Sequence, residues 1–271
     1  MRLWKAHGLG NDYLVWEGDA DILSAKLVKK ICHRNIGFGG DGILEPLFHK
    51  NDIFGVRIWN PDGSIAEKSG NGLRIFAWWL SKCREKGVDF CIDTTFTKVQ
   101  AKVFEDSVEI DMGEPIFEFQ KIPTTREIWG EPFWMDNRAS MYTVSMGNPH
   151  CVILWDDNIQ LDDLSWREWG MELEHHKNFP NRSNIQFAQR IDSHNIMLRI
   201  WERGAGETDA SGSSSCAVFS VMYRLGLISD NIQAHMPGGI LELSMKDNHV
   251  FMRGPVTEIG NLELVSTFFA P

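Results

Sequence analysis

The chain has 271 residues, 43% of them hydrophobic and 24% charged, enough to bury a sizeable core, and this composition excludes intrinsic disorder. Asp and Glu outnumber Lys and Arg 37 to 27, a net charge of −10, and no basic run exceeds two residues, so the basic footprint of a nucleic-acid binder is missing. No apolar run approaches the ~20 residues that span a bilayer, and the opening Met1-Arg2-Leu3-Trp4-Lys5 has no signal-peptide core, which points to the cytoplasm and to no membrane partner.

In chain order, an amphipathic, peripheral helix is expected over 22–32 and a strand over 52–59. A helix over 73–82, apolar nearly all round and therefore buried on most faces, comes next. Strands are expected over 99–104, 107–112, 142–146 and 195–201. A second buried helix over 214–225 and a strand over 240–245 complete the series. Several strands alternate apolar and polar residues, as half-buried antiparallel strands do. The two buried helices are introduced alike, one after Lys68-Ser69-Gly70-Asn71-Gly72 and the other after Ala210-Ser211-Gly212-Ser213. Each follows a strand ending in a polar turn. A weaker echo links His7-Gly8-Leu9-Gly10-Asn11-Asp12 with Met146-Gly147-Asn148-Pro149-His150. The reading is an internally duplicated α+β protein: two halves, each a curved, mainly antiparallel sheet around a central buried helix. The split falls at 1–114 and 115–259, with the tail 260–271 packing on the first half.

The five cysteines, Cys32, Cys83, Cys91, Cys151 and Cys216, are odd in number and form no C-x-x-C. Reduced, mostly buried thiols are expected rather than disulfides or a zinc site. Cys216 lies more than one turn into an apolar helix, where a thiol is inert. The adjacent His175 and His176 point in different directions, so no metal site is expected. A helix N-terminus after Ser-Gly offers unpaired N–H groups and the positive dipole end, a carboxylate or phosphate site. For one such helix Ser69 or Ser211 reads more simply as a plain N-cap; two matching sites on buried helices point instead to one ligand held between both ends. Walker, Rossmann and nucleophile-elbow patterns are absent, and no cofactor site is read.

Six pieces occur in order: residues 7–12, Trp59-Asn60-Pro61-Asp62-Gly63-Ser64, Ser69-Gly70-Asn71-Gly72, Met146-Gly147-Asn148-Pro149-His150, Arg182-Ser183-Asn184, and Glu202-Arg203-Gly204-Ala205-Gly206-Glu207-Thr208. Together they resemble the diaminopimelate epimerase family of pyridoxal-phosphate-independent amino-acid racemases and epimerases. The resemblance implies an active site in the cleft between two similar halves, a small amino-acid substrate, no cofactor and a homodimer. It places the substrate carboxylate on the backbone N–H groups of Gly70, Asn71, Gly212 and Ser213. His150 and Glu202 match supporting catalytic residues, and Asn11, Asn60, Asn148, Asn184 and Arg203 match positions that recognise the substrate side chain.

One departure changes the chemistry. The family carries cysteine, its pair of catalytic bases, where this chain has Ser69 and Ser211. Racemisation removes the α-proton on one face and returns one on the other, so two groups must alternate as base and acid. A thiol, with pKa near 8.5, is about 3% thiolate at pH 7, and a helix N-terminus raises that share; a hydroxyl offers almost no base. Serine keeps the cap and the shape, so the expectation is an intact site that binds substrate and turns it over slowly or not at all. Loss of both cysteines with the neighbouring motifs spared reads as a deliberate Cys→Ser double change, the alternative being a natural pseudoenzyme that binds amino acids. Gly42 stands where diaminopimelate epimerases carry a substrate-contacting Gln, Pro61 where Ala is usual and Tyr13 where Phe is usual. These departures favour a histidine racemase. Retention of Asn60, Asn184 and Arg203, suited to a distal carboxylate, keeps diaminopimelate epimerase, which converts the LL to the meso form for lysine and peptidoglycan biosynthesis, as the alternative.

Overall fold

A computed structural model describes residues 1–19, 22–50, 53–155 and 159–269. The chain divides into two compact units, Met1–Ile110 with Gly254–Pro271, and Asp111–Arg253; Ala270 and Pro271 of the tail lie outside the described residues.

The first unit contains β1 (Arg2–Gly8), β2 (Asn11–Trp16), α1 (Ala25–Cys32), β3 (Gly42–Lys50), β4 (Ile53–Trp59), β5 (Ile65–Ala66), α2 (Gly70–Trp78), β6 (Asp89–Asp93), β7 (Lys98–Val103) and β8 (Ser107–Asp111). The second contains β9 (Trp129–Pro132), β10 (Ala139–Ser145), β11 (Pro149–Trp155), α3 (Trp166–Glu174), β12 (Asn184–Arg190), β13 (Asn195–Glu202), β14 (Gly206–Thr208), α4 (Gly212–Arg224), β15 (Asn231–Met236), β16 (Gly239–Lys246) and β17 (His249–Pro255). The last strand, β18 (Thr257–Glu263), returns to pair with β1.

The duplication read from the sequence is present in the strand pairing. In the first unit β1–β2 is antiparallel, β2–β3 parallel, β3–β4 antiparallel, β4–β6 parallel, and β6–β7 and β7–β8 antiparallel. The second repeats the series as β10–β11, β11–β12, β12–β13, β13–β15, β15–β16 and β16–β17. Strands β18 and β9 take matching edge places beside β1 and β10. The parallel pairs are bridged by α1 or α3 and by α2 or α4, as parallel strands require a crossover. Each central helix packs on several strands of its own sheet: α2 on β1, β2, β6 and β7, and α4 on β10 to β13 and β16. Every residue of α2 is buried.

Helix boundaries follow their caps. The helix expected over 22–32 begins at Ala25, because Ser24 is extended and its hydroxyl accepts the Leu27 N–H. The helix expected over 73–82 begins three residues earlier, at Gly70, and runs after Trp78 into a wider π-turn, Trp79–Cys83. The strand expected over 52–59 is seen from Ile53; Asp52 lies outside the described residues. Helix α3 was not expected; its Gly170 sits where a Cβ would come 2.7 Å from Trp201. Among the described residues no helix is long and apolar enough to cross a membrane.

Candidate active site

Both central helices start in the same way. Ser69 (φ −138°, ψ 113°) and Ser211 (φ −143°, ψ 126°) are extended N-caps, each followed by glycine. Ser69 Oγ accepts the Gly72 N–H at 3.0 Å, and Ser211 Oγ accepts the Ser214 N–H at 3.4 Å. The remaining first-turn amides, including Gly70, Asn71, Gly212 and Ser213, carry the positive end of the helix dipole and suit a carboxylate.

In the first unit Asn11 is tied into a polar chain. Its amide donates to Asp41 Oδ2 at 2.8 Å and its Oδ1 accepts from Asn71 at 3.0 Å, while Asn71 Oδ1 accepts from the fully buried Arg74 at 2.9 Å. Asp41 also accepts the Asp12 amide and meets Arg34. Asp12 is gripped by Lys5 and Arg34. Burial works against the Asp12 carboxylate, but its bonds to Lys5 and Arg34 prevail and hold it below the ordinary range. At Asp41 burial wins, helped by the Asp12 charge, and the carboxyl is pushed up. Asn60 serves its own turn: its backbone N–H and side-chain amide both reach Ser64, and its carbonyl accepts from Gly63. Gly42 lies under the Tyr13 ring, where a Cβ would come 2.6 Å from Tyr13 Cε1 and 2.4 Å from the Trp59 carbonyl. The Tyr13 hydroxyl lies 3.0 Å from Ser69 Oγ.

In the second unit His150 is fully buried at the start of β11. The Gln186 amide lies 3.1 Å from His150 Nδ1 and 3.0 Å from Ser214 Oγ, and His150 Nε2 lies 2.8 Å from Asn148 Oδ1. With Nδ1 accepting and Nε2–H donating, the ring is neutral and both nitrogens are engaged. Burial pushes its pKa down to about 3, the Gln186 bond opposing and the Arg203 charge adding. Asn184 is also buried; its amide donates to the Pro149 carbonyl and its Oδ1 accepts the Arg203 N–H. The Arg203 side chain is exposed, and Glu202 is half-buried at the end of β13. The turn after Glu202 is fixed by a residue the sequence reading did not single out, the buried Glu174, which accepts from Trp201 Nε1, the Gly204 N–H and Arg182. Gln186 and Ser214 were likewise not singled out.

The depressed His150 pKa has a measurable consequence. Between about pH 6.5 and 3 the unfolded chain takes up a proton that the folded chain refuses, so this contribution is complete above pH 6.5 and is lost as pH falls. Denaturant midpoints at pH 7 and pH 5 are expected to fall more steeply for the native chain than for His150→Gln; equal slopes would contradict a neutral buried imidazole.

Cys32, Cys151 and Cys216 are buried and Cys83 is exposed. Burial pushes the Cys32 and Cys151 thiols up to about 12. Among the described residues no three His, Cys, Asp or Glu side chains are placed to hold a metal ion. A cavity lined by Glu114, Phe117, Ser220, Tyr223 and Arg224 sits toward the far end of α4 from Ser211, away from the amides and polar groups at the helix start.

A family model described as diaminopimelate epimerase matches residues 3–118 and 142–259. The chain belongs to the diaminopimelate epimerase family. It is 41% identical over 284 residues to diaminopimelate epimerase 2 of Nostoc sp. (strain PCC 7120), covering 100% of this chain and 98% of that one. Among solved structures it shares its fold with a predicted epimerase from Pseudomonas aeruginosa (TM-score 0.71, 16% identity, 98% of this chain and 99% of that chain). A probable proline racemase from Agrobacterium radiobacter K84, solved with bound carbonate, has the same fold (TM-score 0.71, 15% identity, 100% and 94%). Membership of the diaminopimelate epimerase family makes the chain an isomerase of the amino-acid epimerase and racemase class.

Proposed function

We propose that the protein holds a free amino acid by its α-carboxylate at the serine-capped helix ends, with Ser69 and Ser211 in the places of the family's two catalytic bases. The observation that carries this reading is the matched pair of caps, alike in backbone angles, following glycine and hydroxyl-to-amide bond. A carboxylate there meets first-turn N–H groups and the helix dipole. The α-proton is exchanged only if a base stands on its face, and a serine hydroxyl supplies little. The chain as it stands is therefore a binder with slow or silent turnover, and thiols at 69 and 211 make it an epimerase.

Diaminopimelate is the substrate we favour. Its support is the 41% identical relative named diaminopimelate epimerase 2, together with Asn60, Asn184 and Arg203 at the positions that resemble the family's side-chain recognition set. Histidine, the first preference on sequence alone, is a second reading, favoured by one observation: the Tyr13 ring occupies the room over Gly42 that a longer side chain there would need. Calorimetric titration with LL-diaminopimelate and with L-histidine separates the two. Saturable binding of the first and none of the second supports the favoured reading, and the reverse replaces it. Binding of neither removes the amino-acid reading. The family resemblance also carries a homodimer, which sedimentation equilibrium checks.

A further inference from the structure

Tyr13 and His150 hold corresponding places in the duplicated fold. Tyr13 stands opposite Gly42, the first residue of β3, and His150 stands opposite Asn184, the first residue of β12. Their chemistry differs. His150 is engaged at both nitrogens and is held neutral by burial. Tyr13, only 6% exposed, puts its hydroxyl 3.0 Å from Ser69 Oγ. Glycine at 42 leaves the space the ring occupies, since a Cβ there would collide with Tyr13 and with the Trp59 carbonyl. Tyr13, Gly42 and Ser69 are thus one packed unit rather than three separate substitutions. Among the described residues Ser211 Oγ has the Ser214 amide as its partner and no titratable side chain.

We propose that Tyr13 is a positioning residue that makes Ser69 a working base through a hydroxyl relay, giving this chain α-proton exchange on one face only. The proposal rests on the reading that the helix ends hold an amino acid. In the step, the α-C–H bond breaks and its electron pair stays on the α-carbon beside the carboxylate. The proton passes to Ser69 Oγ while the proton of Ser69 passes to the Tyr13 phenolate. Reversal after exchange with solvent returns a solvent hydrogen to the same face, so the configuration is kept. The phenolate is the form that accepts this proton, so exchange rises with pH. The charged and titratable groups on the elements packed against Tyr13 are Arg2, Lys5 and His7 on β1, Asp12 on β2 itself, Asp41, Glu45, His49 and Lys50 at and in β3, and Lys68 and Arg74 around the start of α2. Of these, Asp12 is paired with Lys5 and Arg34, Asp41 with Arg34, and Glu45 with Arg57.

The test follows the α-proton NMR signals of LL- and DD-diaminopimelate and of L- and D-histidine in deuterium oxide, from pH 7 to pH 9. Binding of the same probes is measured by calorimetry. For a bound probe, the native chain is expected to exchange one configuration only, without inversion, at a rate that is higher at pH 9 than at pH 7. Tyr13→Phe is expected to fall to the buffer rate with affinity unchanged within about twofold. Ser69→Cys in the Tyr13→Phe background is expected to restore exchange with a shallower pH dependence. Exchange unaltered in Tyr13→Phe, equal exchange of both configurations, or no exchange of a bound probe at pH 9 would overturn the relay alone. Failure of every probe to bind would overturn the amino-acid reading on which it stands.

Discussion

Replacing Ser69 and Ser211 together by cysteine is expected to raise inversion at the α-carbon by about 10⁴-fold or more at pH 7. A positioned acid or base is worth about 10²–10⁴-fold, and inversion needs one on each face. The geometry favours the gain. Both serines are N-caps whose oxygen already accepts a first-turn amide. A thiolate in that place meets the same amide and the positive helix end, which lowers its pKa from the ordinary 8.5. The single changes should behave differently from the double. Ser69→Cys alone and Ser211→Cys alone are each expected to speed exchange of one configuration, and only the pair to interconvert the two, read by chiral chromatography beside proton exchange. A gain below tenfold in a folded double variant would mean that residues 69 and 211 are not the two base positions.

The second large effect is on stability. Gln186 is fully buried, and its amide joins His150 Nδ1 to Ser214 Oγ, the residue whose N–H completes the cap of α4. Gln186→Leu leaves a buried ring nitrogen and a buried hydroxyl without that partner. Such orphaned groups cost about 1–3 kcal/mol each, so a loss of about 2 kcal/mol or more is expected. For a chain of this size that is a Tm lower by roughly 4–8 °C. Weaker amino-acid binding should accompany it, because the first turn of α4 loses its side support. An unchanged Tm would show that the His150–Ser214 bridge does not hold this end of the helix.

The parts of the fold legible in the sequence were those with a local signature. The two buried helices announced themselves through segments apolar nearly all round, and their starts through Ser-Gly. The alternating strands β7, β8 and β13 were plain for the same reason. Strands β2 and β11 were not, because they are buried on both faces and read as continuous apolar runs, which periodicity cannot tell from a helix. At the site, the cap residues came from the sequence because an N-cap is a local device. The partners that hold the neighbouring groups did not, since Gln186 lies 36 residues from His150, Asp41 lies 30 from Asn11 and Tyr13 lies 56 from Ser69. Their one advance signal was a polar side chain between the apolar neighbours of a strand, as at Gln186 between Ile185 and Phe187, and that pattern names no partner.

The most direct test of the account is the α-proton NMR signal of diaminopimelate in deuterium oxide with the Ser69→Cys/Ser211→Cys chain. Loss of that signal, with the LL and meso forms approaching equilibrium, is the predicted result. A signal that persists at the buffer rate, for diaminopimelate and for histidine alike, in a folded protein that binds them, would contradict the assignment of Ser69 and Ser211 to the family's two base positions.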